Sequence, residues 1–518
     1  GAVLMIRVGL ARGPDHYRGL NAPWHPGFVP PELAGRLGSA RSGTTNGVFQ
    51  AVRSALLALG LDKDRAGSSE WNPLGSLAAP GKTIVLKPNF IRHWNPRSAL
   101  GSDASVESVV THGAILRAVA DYAFLAVGLS GRVIVAEAPQ QDCDFGEIRK
   151  IAGLDSMQEH FQNALGAKLE IIDLRRETVT FENGVIISRQ SLPGDPKGYR
   201  AVDLGRQSFF EGSGLDSSLM RGADYDPAPT SEHHSNGRNA YLLSETVLSS
   251  DLIVNLPKLK THKKTGVTLA LKNMVGINGD KNWLPHHCAG SVPEGGDEFP
   301  GTAWVDRARS RLTELGRVLL GRNLGKELIK AYRRAEISAR GDDFIRAGNW
   351  HGNQTTWRMC GDLNRCVYYS DAQGLHLGAE RPVRRVLTIL DAIVAGDHNG
   401  PLAPRDLPLG VVMASLDPTA LDLAAVRLMG FDESRIPKVW ETMASTVLRV
   451  TEVQRADDVE IAEVAEQSKG VPGSVRVYAL DDLECPHPFV PHPGWLNHIE
   501  RGADKKKPRP PASEEAKV

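Results

Sequence analysis

Short apolar runs alternate with longer amphipathic stretches along most of the chain. The apolar runs are rich in Val, Ile and Leu, which is typical of strands buried on both faces of a sheet. They predict strands at 83–87, 132–136, 168–173, 251–255, 386–390 and 410–415. Apolar positions that repeat every three to four residues predict helices at 46–60, 106–125 and 418–429. This alternation predicts an α/β fold, with a largely parallel or mixed sheet covered by helices.

Local composition divides the chain into segments. Gly, Ser, Pro and charged residues are concentrated at 174–240, which predicts a loop-rich insertion. Basic residues are concentrated at 288–350, which predicts a helical insertion. We therefore expect an N-terminal extension at 1–80, a core in two parts at 81–287 and 351–500, and a disordered, charged, proline-rich tail at 501–518.

Overall charge narrows the classes of partner. The 61 Lys and Arg residues are balanced by 61 Asp and Glu, and aromatic residues are not interleaved with the basic ones. Both features argue against a nucleic-acid-binding surface, which needs a basic footprint. No apolar run approaches the roughly 20 residues of a membrane span, and the first residues do not resemble a signal peptide. We therefore expect a cytoplasmic protein.

The cysteine pattern argues against three common structural features. All five are scattered, odd in number and never spaced as CxxC. An iron–sulfur cluster, a zinc ribbon and a disulfide framework all need closer or paired cysteines. No iron–sulfur cluster is expected from this pattern.

A basic stretch follows the predicted strand at 251–255. Within 15 residues and with no acidic residue among them, it holds Lys258, Lys260, His262, Lys263, Lys264 and Lys272. Like charges at this density are unfavourable unless an anion lies among them or they separate into water. A helix at 267–275 would direct its N-terminus at such an anion. In the helix at 418–429, we expect Asp417 to be the N-cap and Asp422 to lie on the outer face.

Polar side chains also occur where the other predicted strands end. They are Lys87, Asn89, Glu137, Asn255, Asp391, Asp397 and His398. In open α/β sheets, ligands bind outside the carboxyl ends of the strands. We therefore expect these side chains to converge with the basic stretch in one site.

The residue types of this predicted site indicate three roles. A lysine crowded by cations can lose its proton near neutral pH and act as a base or a nucleophile. The candidates for catalysis are Lys258, Lys260, His262, Lys87 and Asp391. Candidates for substrate contacts are Asn89, Asn255, Thr261, Lys272, Asn273 and His398. Carboxylates that could hold a divalent cation such as Mg²⁺, Mn²⁺ or Zn²⁺ are Glu137, Asp391 and Asp397.

Several of these residues fall within motifs that occur in a fixed order. The motifs are IVLKPN at 84–89, THGAILRAVADY at 111–122, VIVAEAP at 133–139, NLPKLKTH at 255–262, LKNMVG at 271–276 and DAIVAGDHNGP at 391–401. Together they resemble the DUF362 family, which is named for having no assigned function, over about 80 to 430. GNWHGNQTTWRMCGDLNR at 348–365 resembles the longer branch, whose members often accompany surface-polysaccharide genes. Many relatives carry a ferredoxin-like cluster segment, which this chain lacks.

Three functions remain open. The first is an enzyme acting on an anionic small molecule, either a carboxylate or a phosphorylated or nucleotide-linked sugar. For this function, the resemblance implies polysaccharide or secondary-metabolite biosynthesis. The second is an isomerase or racemase of a carboxylate, with a Lys and a His as the acid–base pair. The third is a non-catalytic protein that binds a ligand or docks to a membrane.

Residues 307–334 suggest a further partner. They contain nine Lys or Arg and two Glu, and leucines recur at helical spacing. Leu312, Leu315 and Leu319 share one face, as do Leu324, Leu328 and Tyr332. A basic amphipathic helix of this kind can lie on an anionic membrane or bind a partner protein, whereas an ordinary surface helix would pack these leucines on its own domain. Oligomerisation stays open.

Overall fold

The computed structural model describes residues 5–37, 45–99, 103–340, 347–376, 379–464 and 474–502. Its strands are β1 Ile6–Arg12, β2 Thr83–Pro88, β3 Arg132–Glu137, β4 Leu169–Asp173, β5 Glu177–Glu182, β6 Val185–Ser191, β7 Tyr199–Asp203, β8 Met220–Arg221, β9 Ala240–Ser244, β10 Leu252–Leu256, β11 Lys258–His262, β12 Gly266–Val267, β13 His287–Cys288, β14 Ser370–Asp371, β15 Gly374–Leu375, β16 Arg385–Asn399, β17 Ala403–Ser415, β18 Val459–Val464 and β19 Val475–Ala479. Its helices are α1 Gly47–Leu59, α2 Gly113–Val127, α3 Phe145–Ile151, α4 Leu154–Leu165, α5 Ala228–His233, α6 Glu245–Leu248, α7 Leu269–Asn273, α8 Trp304–Gly321, α9 Lys326–Arg340, α10 Thr356–Tyr369, α11 Pro418–Leu428 and α12 Pro437–Ala444.

One large mixed sheet organises the molecule. Its strand order is β19-β18-β1-β17-β16-β10-β2-β3-β4, and β11 continues from β10 to pair with the second half of β16. Strands β4, β3, β2, β10 and β16 are mutually parallel, so their carboxyl ends lie at one edge. Antiparallel pairing joins β17 to both β16 and β1. The predicted α/β class is confirmed, and each predicted strand has a counterpart.

Alternate residues of the parallel strands pack against different layers. Ile84 and Leu86 contact the apolar core that includes α1 and α2, whereas Val85 contacts the core that includes α10. Burial on both faces explains why these strands read as continuous apolar runs rather than as an alternating pattern. Within the described residues, no helix is both long and apolar enough to cross a bilayer.

The helix predicted at 106–125 begins later than expected, at Gly113. Residues 106–108 form only a 3₁₀ turn, and the His112 side chain caps the helix by accepting a hydrogen bond from the Ala114 amide. Upstream, the Thr111 hydroxyl donates to the Leu256 carbonyl and accepts from the Asn89 amide. These bonds tie Thr111 to two neighbouring strands, which explains why the helix cannot extend back to residue 106.

The segment 1–80, predicted as an extension, contributes to the main sheet. Strand β1 lies between β17 and β18, and α1 packs directly on it. A Cβ atom at Gly9 would lie 2.4 Å from the Ala55 carbonyl oxygen, so this contact requires glycine. The insertion at 174–240 contains β5 to β8 and α5, and that at 288–350 contains α8 and α9. Most of the predicted disordered tail, 503–518, lies outside the described residues.

Candidate functional site

A buried ion pair joins the carboxyl ends of β2 and β3. The Lys87 Nζ lies 2.8 Å from the Glu137 Oε2, and both side chains are almost fully buried. The Phe90 amide donates to the same oxygen at 3.0 Å. A Cβ atom at Gly276 would lie 1.8 Å from the Glu137 Oε1 and 2.6 Å from the Lys87 Nζ, so only glycine allows the chain to pass this pair.

The basic stretch begins where β10 passes through Pro257 into β11. Strand β11 pairs in parallel with β16, placing Lys258 opposite Asp391 and Lys260 opposite Gly396. The register shifts between the two lysines because β16 has extra residues there. Lys258 and Lys260, although only two residues apart, therefore face different surroundings.

Lys260 opens into a partly enclosed cavity of about 60 Å³ at the carboxyl edge of the sheet, which we call the lysine pocket. The lining residues are Asn89, Ile91, Glu137, Ala138, Lys260, His262, Thr268, Lys272, Asn273, Val275, Gly276, Lys281 and Pro401. The parallel topology thus brings together side chains from β2, β3, β11 and the α7 region, as the sequence predicted for this edge.

Positive charge predominates among these lining residues. Glu137 is the one carboxylate that lines the pocket in the described part of the chain, and it is already paired with Lys87. The Lys260 Nζ instead donates to the Val109 carbonyl at 2.5 Å and to the Asn89 Oδ1 at 3.4 Å. The Lys281 Nζ donates to the Ala138 carbonyl at 2.8 Å. Lys260 and Lys281 are therefore held by neutral oxygen atoms.

This arrangement lowers the pKa values of the lysines. Burial lowers the pKa of Lys260 well below its ordinary value, and the charges of Lys258 and Lys272 lower it further. Burial likewise lowers the pKa of Lys272 and, for Lys281, lowers the pKa to about 7. The Glu137 charge raises these pKa values and offsets the effect of burial only in part, so a protonated pocket lysine would be stabilised further by a bound anion.

His262 lines the same pocket with one ring nitrogen already assigned. Its Nδ1 accepts hydrogen bonds from the Lys264 amide at 3.0 Å and from the Thr265 amide at 3.3 Å. Because backbone amides can only donate, Nδ1 carries no proton. Burial and the neighbouring lysines hold the pKa of His262 well below 6.5, so the ring is neutral and protonated at Nε2. His262 is therefore a hydrogen-bond donor, not a base.

The predicted substrate-binding residues divide into lining and supporting residues. Asn89, Lys272 and Asn273 line the pocket, whereas Asn255, Thr261 and His398 are absent from its lining. The Asn255 Oδ1 accepts from the Asn273 Nδ2 at 2.7 Å and orients that amide. The Thr261 hydroxyl donates to the His398 carbonyl at 3.0 Å and joins β11 to the end of β16.

The N-terminus of α7 does not face the pocket, contrary to the prediction for a helix at 267–275. Its amide groups at Ala270 and Leu271 donate to the Asp422 carboxylate at 2.7 and 3.3 Å. The expectation that Asp422 lies on the outer face of its helix is therefore wrong, because it is fully buried against α7. The prediction that Asp417 is the N-cap of α11 is confirmed by its bonds to the Thr419 and Ala420 amides.

A second group of side chains, the Asp391 cluster, contains Tyr17, His112, Lys258 and Asp391. The Lys258 Nζ lies 3.0 Å from the Asp391 Oδ2 and 3.2 Å from the Tyr17 hydroxyl, which in turn donates to Asp391. The His112 amide donates to the same carboxylate at 2.9 Å, and the rings of Tyr17 and His112 stack 3.7 Å apart. Lys258 and Asp391, both predicted to be catalytic, are fully buried in this cluster.

The three carboxylates predicted to hold a metal lie in different environments. Glu137 pairs with Lys87, Asp391 with Lys258, and Asp397 with Arg405 through two bonds of 3.0 and 2.9 Å. Across the described ranges, no group of three or more His, Cys, Asp or Glu side chains is arranged to hold a metal ion. The structure therefore does not bring these three predicted ligands together.

Lys281 and Tyr17 were missed in the sequence. Lys281 follows LKNMVG closely and begins the short 3₁₀ helix Lys281–Trp283. Its charge continues the basic stretch, which was the available signal. Tyr17 lies far from Asp391 along the chain and within the predicted extension. Only the pairing of β1 with β17 brings this N-terminal region to the site.

Fold and pocket together define an α/β protein with a lysine-lined cavity at the carboxyl edge of its sheet. The model of the DUF362 family, described as a domain of unknown function, matches residues 193–427. This part of the chain, which contains the basic stretch and Asp391, is similar to the DUF362 family. The motifs at 84–89, 111–122 and 133–139 precede the matched residues.

Other comparisons add little. No curated protein matches the chain. A crystal structure of a Thermotoga maritima protein, solved by the Northeast Structural Genomics Consortium, is 11% identical with a TM-score of 0.29, over 69% of this chain and 53% of that one. The chain thus spans about half the length of that protein. A TM-score this low does not define a shared fold.

Proposed function

We propose that the lysine pocket binds the phosphate or carboxylate group of a small molecule, and that the protein is an enzyme acting on this molecule. The observation that carries the proposal is the excess of pocket lysines over carboxylates. Buried cations without a counter-charge are unfavourable, and charge-assisted bonds to an anion would offset that cost. The neutral His262 adds an Nε2–H donor.

The environment of Lys260 supports its role as the catalytic base. Its pKa is lowered by burial and by two neighbouring lysines, which favours the neutral amine. A neutral amine donates two hydrogens, here to the Val109 carbonyl and to Asn89, and keeps a lone pair for accepting a proton. Lys272 and Lys281 would then hold the anionic group, since neither forms a salt bridge in the described structure.

The fixed tautomer of His262 favours isomerisation or racemisation as the second candidate function. Lys260 can take a proton from a carbon next to a carbonyl or carboxylate group and, as the protonated amine, return it to the neighbouring carbon or to the same carbon. The His262 Nε2–H can donate a hydrogen bond to the oxygen on which negative charge then develops. This division of roles differs from an exchangeable pair of bases, because His262 is held as a donor.

Pocket size supports a compact ligand. A cavity of about 60 Å³ suits the anionic group of a sugar phosphate or a small carboxylate better than a whole nucleotide-linked sugar. The resemblance to relatives that accompany polysaccharide genes makes sugar phosphates the first compounds to test. A longer ligand would have to extend past Lys281 into the neighbouring polar groove, which Arg176, Arg189 and Asp280 also line.

Isothermal titration calorimetry with inorganic phosphate, sugar phosphates and small carboxylates tests the proposal. An anion should raise the pKa values of the pocket lysines, so binding should take up protons, and the measured enthalpy should depend on the buffer. Lys272→Met should weaken binding by about tenfold or more, as expected when a charged hydrogen bond is lost. The control, Lys63→Met at an exposed lysine, should bind normally.

Two outcomes would contradict the proposal. Anion binding that Lys272→Met leaves unchanged would place the ligand elsewhere. Conversion of a bound ligand can be followed by NMR in the native protein and in Lys260→Met. A ligand that binds tightly but is converted by neither protein would favour the non-catalytic alternative.

A further inference from the structure

Helix α8 contacts the rest of the protein through a polar face. The Ser310 hydroxyl donates to the Glu298 carboxylate at 2.7 Å, and Glu314 pairs with Arg221 at 2.8 Å. One turn further, the Arg317 guanidinium donates to the Asp224 carbonyl at 2.8 Å. Spacings of four and three residues place these side chains on one side of the helix, so ionic and polar contacts hold α8 in place.

Helix α9 is attached in the same way. The Lys330 Nζ lies 2.6 Å from the Glu182 carboxylate at the end of β5, and Arg333 donates to the Gly184 carbonyl in the β5–β6 turn. These basic residues are three positions apart and therefore share a face. We refer to α8 and the described side chains of α9, residues 304–335, as the basic hairpin.

Several large apolar side chains of the basic hairpin are exposed to solvent, whereas Leu320 is buried. Their exposed fractions are 79% for Trp304, 52% for Leu312, 53% for Leu315, 52% for Val318, 54% for Leu324, 75% for Leu328 and 41% for Tyr332. A surface helix normally buries such a face and exposes its polar side. The basic hairpin has the opposite orientation, and contiguous apolar surface of this kind marks an interaction site.

Charge indicates what covers this surface. The basic hairpin contains nine Lys and Arg residues and three acidic residues, Asp306, Glu314 and Glu327. Arg311, Arg322 and Arg334 are exposed beside the apolar side chains. We propose that the basic hairpin docks on an anionic lipid bilayer, inserting Trp304 and the leucines among the acyl chains and placing its arginines at the headgroups. Two copies of so positive a surface would repel each other, which disfavours self-association.

Co-sedimentation with lipid vesicles tests this docking surface. The intact protein should pellet with vesicles of phosphatidylcholine and phosphatidylglycerol, but not with phosphatidylcholine alone, and high salt should release it. The double variant Leu315→Asp/Leu328→Asp should reduce partitioning at least about tenfold. Arg311→Glu/Arg322→Glu should reduce it at least about fivefold for each arginine.

A matched control is Leu129→Asp, which alters a leucine that is 69% exposed and lies just after α2. It should leave vesicle binding unchanged, and circular dichroism should show that every variant is folded. Failure to pellet, equal binding to neutral vesicles, or hairpin variants that bind like the native protein would overturn the proposal. Light scattering that shows a dimer abolished by Leu315→Asp/Leu328→Asp would also overturn it, by assigning the surface to a second copy.

Discussion

Lys258 and Lys260 occupy the same strand, two residues apart, in opposite electrostatic environments. Lys258 forms a fully buried ion pair with Asp391, to which Tyr17 and a backbone amide also donate. Lys260 contacts only neutral oxygen atoms, and its nearest charged neighbours include other lysines. A shift in the pairing of β11 with β16 separates the two environments.

The presence or absence of a carboxylate partner distinguishes a structural lysine from a candidate functional one. The carboxylate of the Asp391 cluster accepts bonds from every neighbouring donor, so the cluster is complete without a ligand. Under the proposed function, an anion that enters the lysine pocket would supply the missing counter-charge. Buried position and residue type are the same for both lysines, whereas the presence of a counter-charge differs.

We expect the largest difference in the free energy of unfolding between Lys258→Met and Lys260→Met. Removing Lys258 leaves the buried Asp391 carboxylate without its cation, so the free energy of unfolding should fall by about 3–5 kcal/mol. Removing Lys260 eliminates an uncompensated buried amine but leaves the Val109 carbonyl and the Asn89 Oδ1 without this donor. These effects oppose each other, so stability should change by about 1 kcal/mol or less. Urea denaturation of ligand-free protein measures both values.

For anion affinity, the larger loss should come from Lys260→Met and not from Lys258→Met. Lys260→Met is expected to weaken binding, whereas any Lys258→Met protein that remains folded should still bind. Equal losses of stability in the two variants would contradict the distinction between the Asp391 cluster and the lysine pocket.

A smaller effect is expected for Gly276→Ala. The added methyl group would collide with the Lys87–Glu137 pair, so the chain or the pair must shift, at a cost of roughly 1–3 kcal/mol. Because Glu137 lines the lysine pocket, anion affinity should fall as well. The matched control is Gly301→Ala, where nothing lies within 4 Å of the added atom. A stable Gly276→Ala protein with normal anion binding would show that the Lys87–Glu137 pair can shift without cost to the lysine pocket.

The smallest effect concerns pH. Burial lowers the pKa of Lys281 to about 7, below its value in the unfolded chain of about 10.4. Between these values the unfolded state binds the additional proton, so this group makes the free energy of unfolding rise with pH. From pH 7 to 8 the native protein should therefore gain more stability than Lys281→Met, by at most about 1.4 kcal/mol. Saturating phosphate should reduce the difference, since a bound anion raises the pKa. Parallel pH profiles of the two proteins would contradict the assignment.

The fold could be predicted largely because burial on both faces leaves a direct mark on the sequence. Strands β2, β3 and β10 appear as uninterrupted apolar runs followed by polar residues, and parallel pairing brings their carboxyl ends together. Lys260, His262 and Lys272 could be placed at this edge for the same reason. The start of α2 was misplaced because Thr111 bonds to residues distant along the chain.

The division of the predicted site into the lysine pocket and the Asp391 cluster could not be predicted, because it depends on the register in which β11 pairs with β16. A shift within β11 and β16 decides that Asp391 meets Lys258 and not Lys260. Tyr17 enters the cluster through the pairing of β1, which no local pattern indicates. The burial of Asp422 likewise follows from the packing of α11 on α7, because an aspartate within a helix resembles a solvated residue in sequence.

Lys281 has a consequence for how ligand preference could change over evolution. It is the residue shared by the lysine pocket and the neighbouring polar groove. Substitutions in the groove, at Arg176 or Arg189 for example, would alter the permitted length of a ligand without touching the groups that contact its anionic end. Under the proposed function, recognition of charge and discrimination by length would thus be carried by separate residues. Descendants of one ancestral site could diverge in substrate size while keeping the same reactive centre.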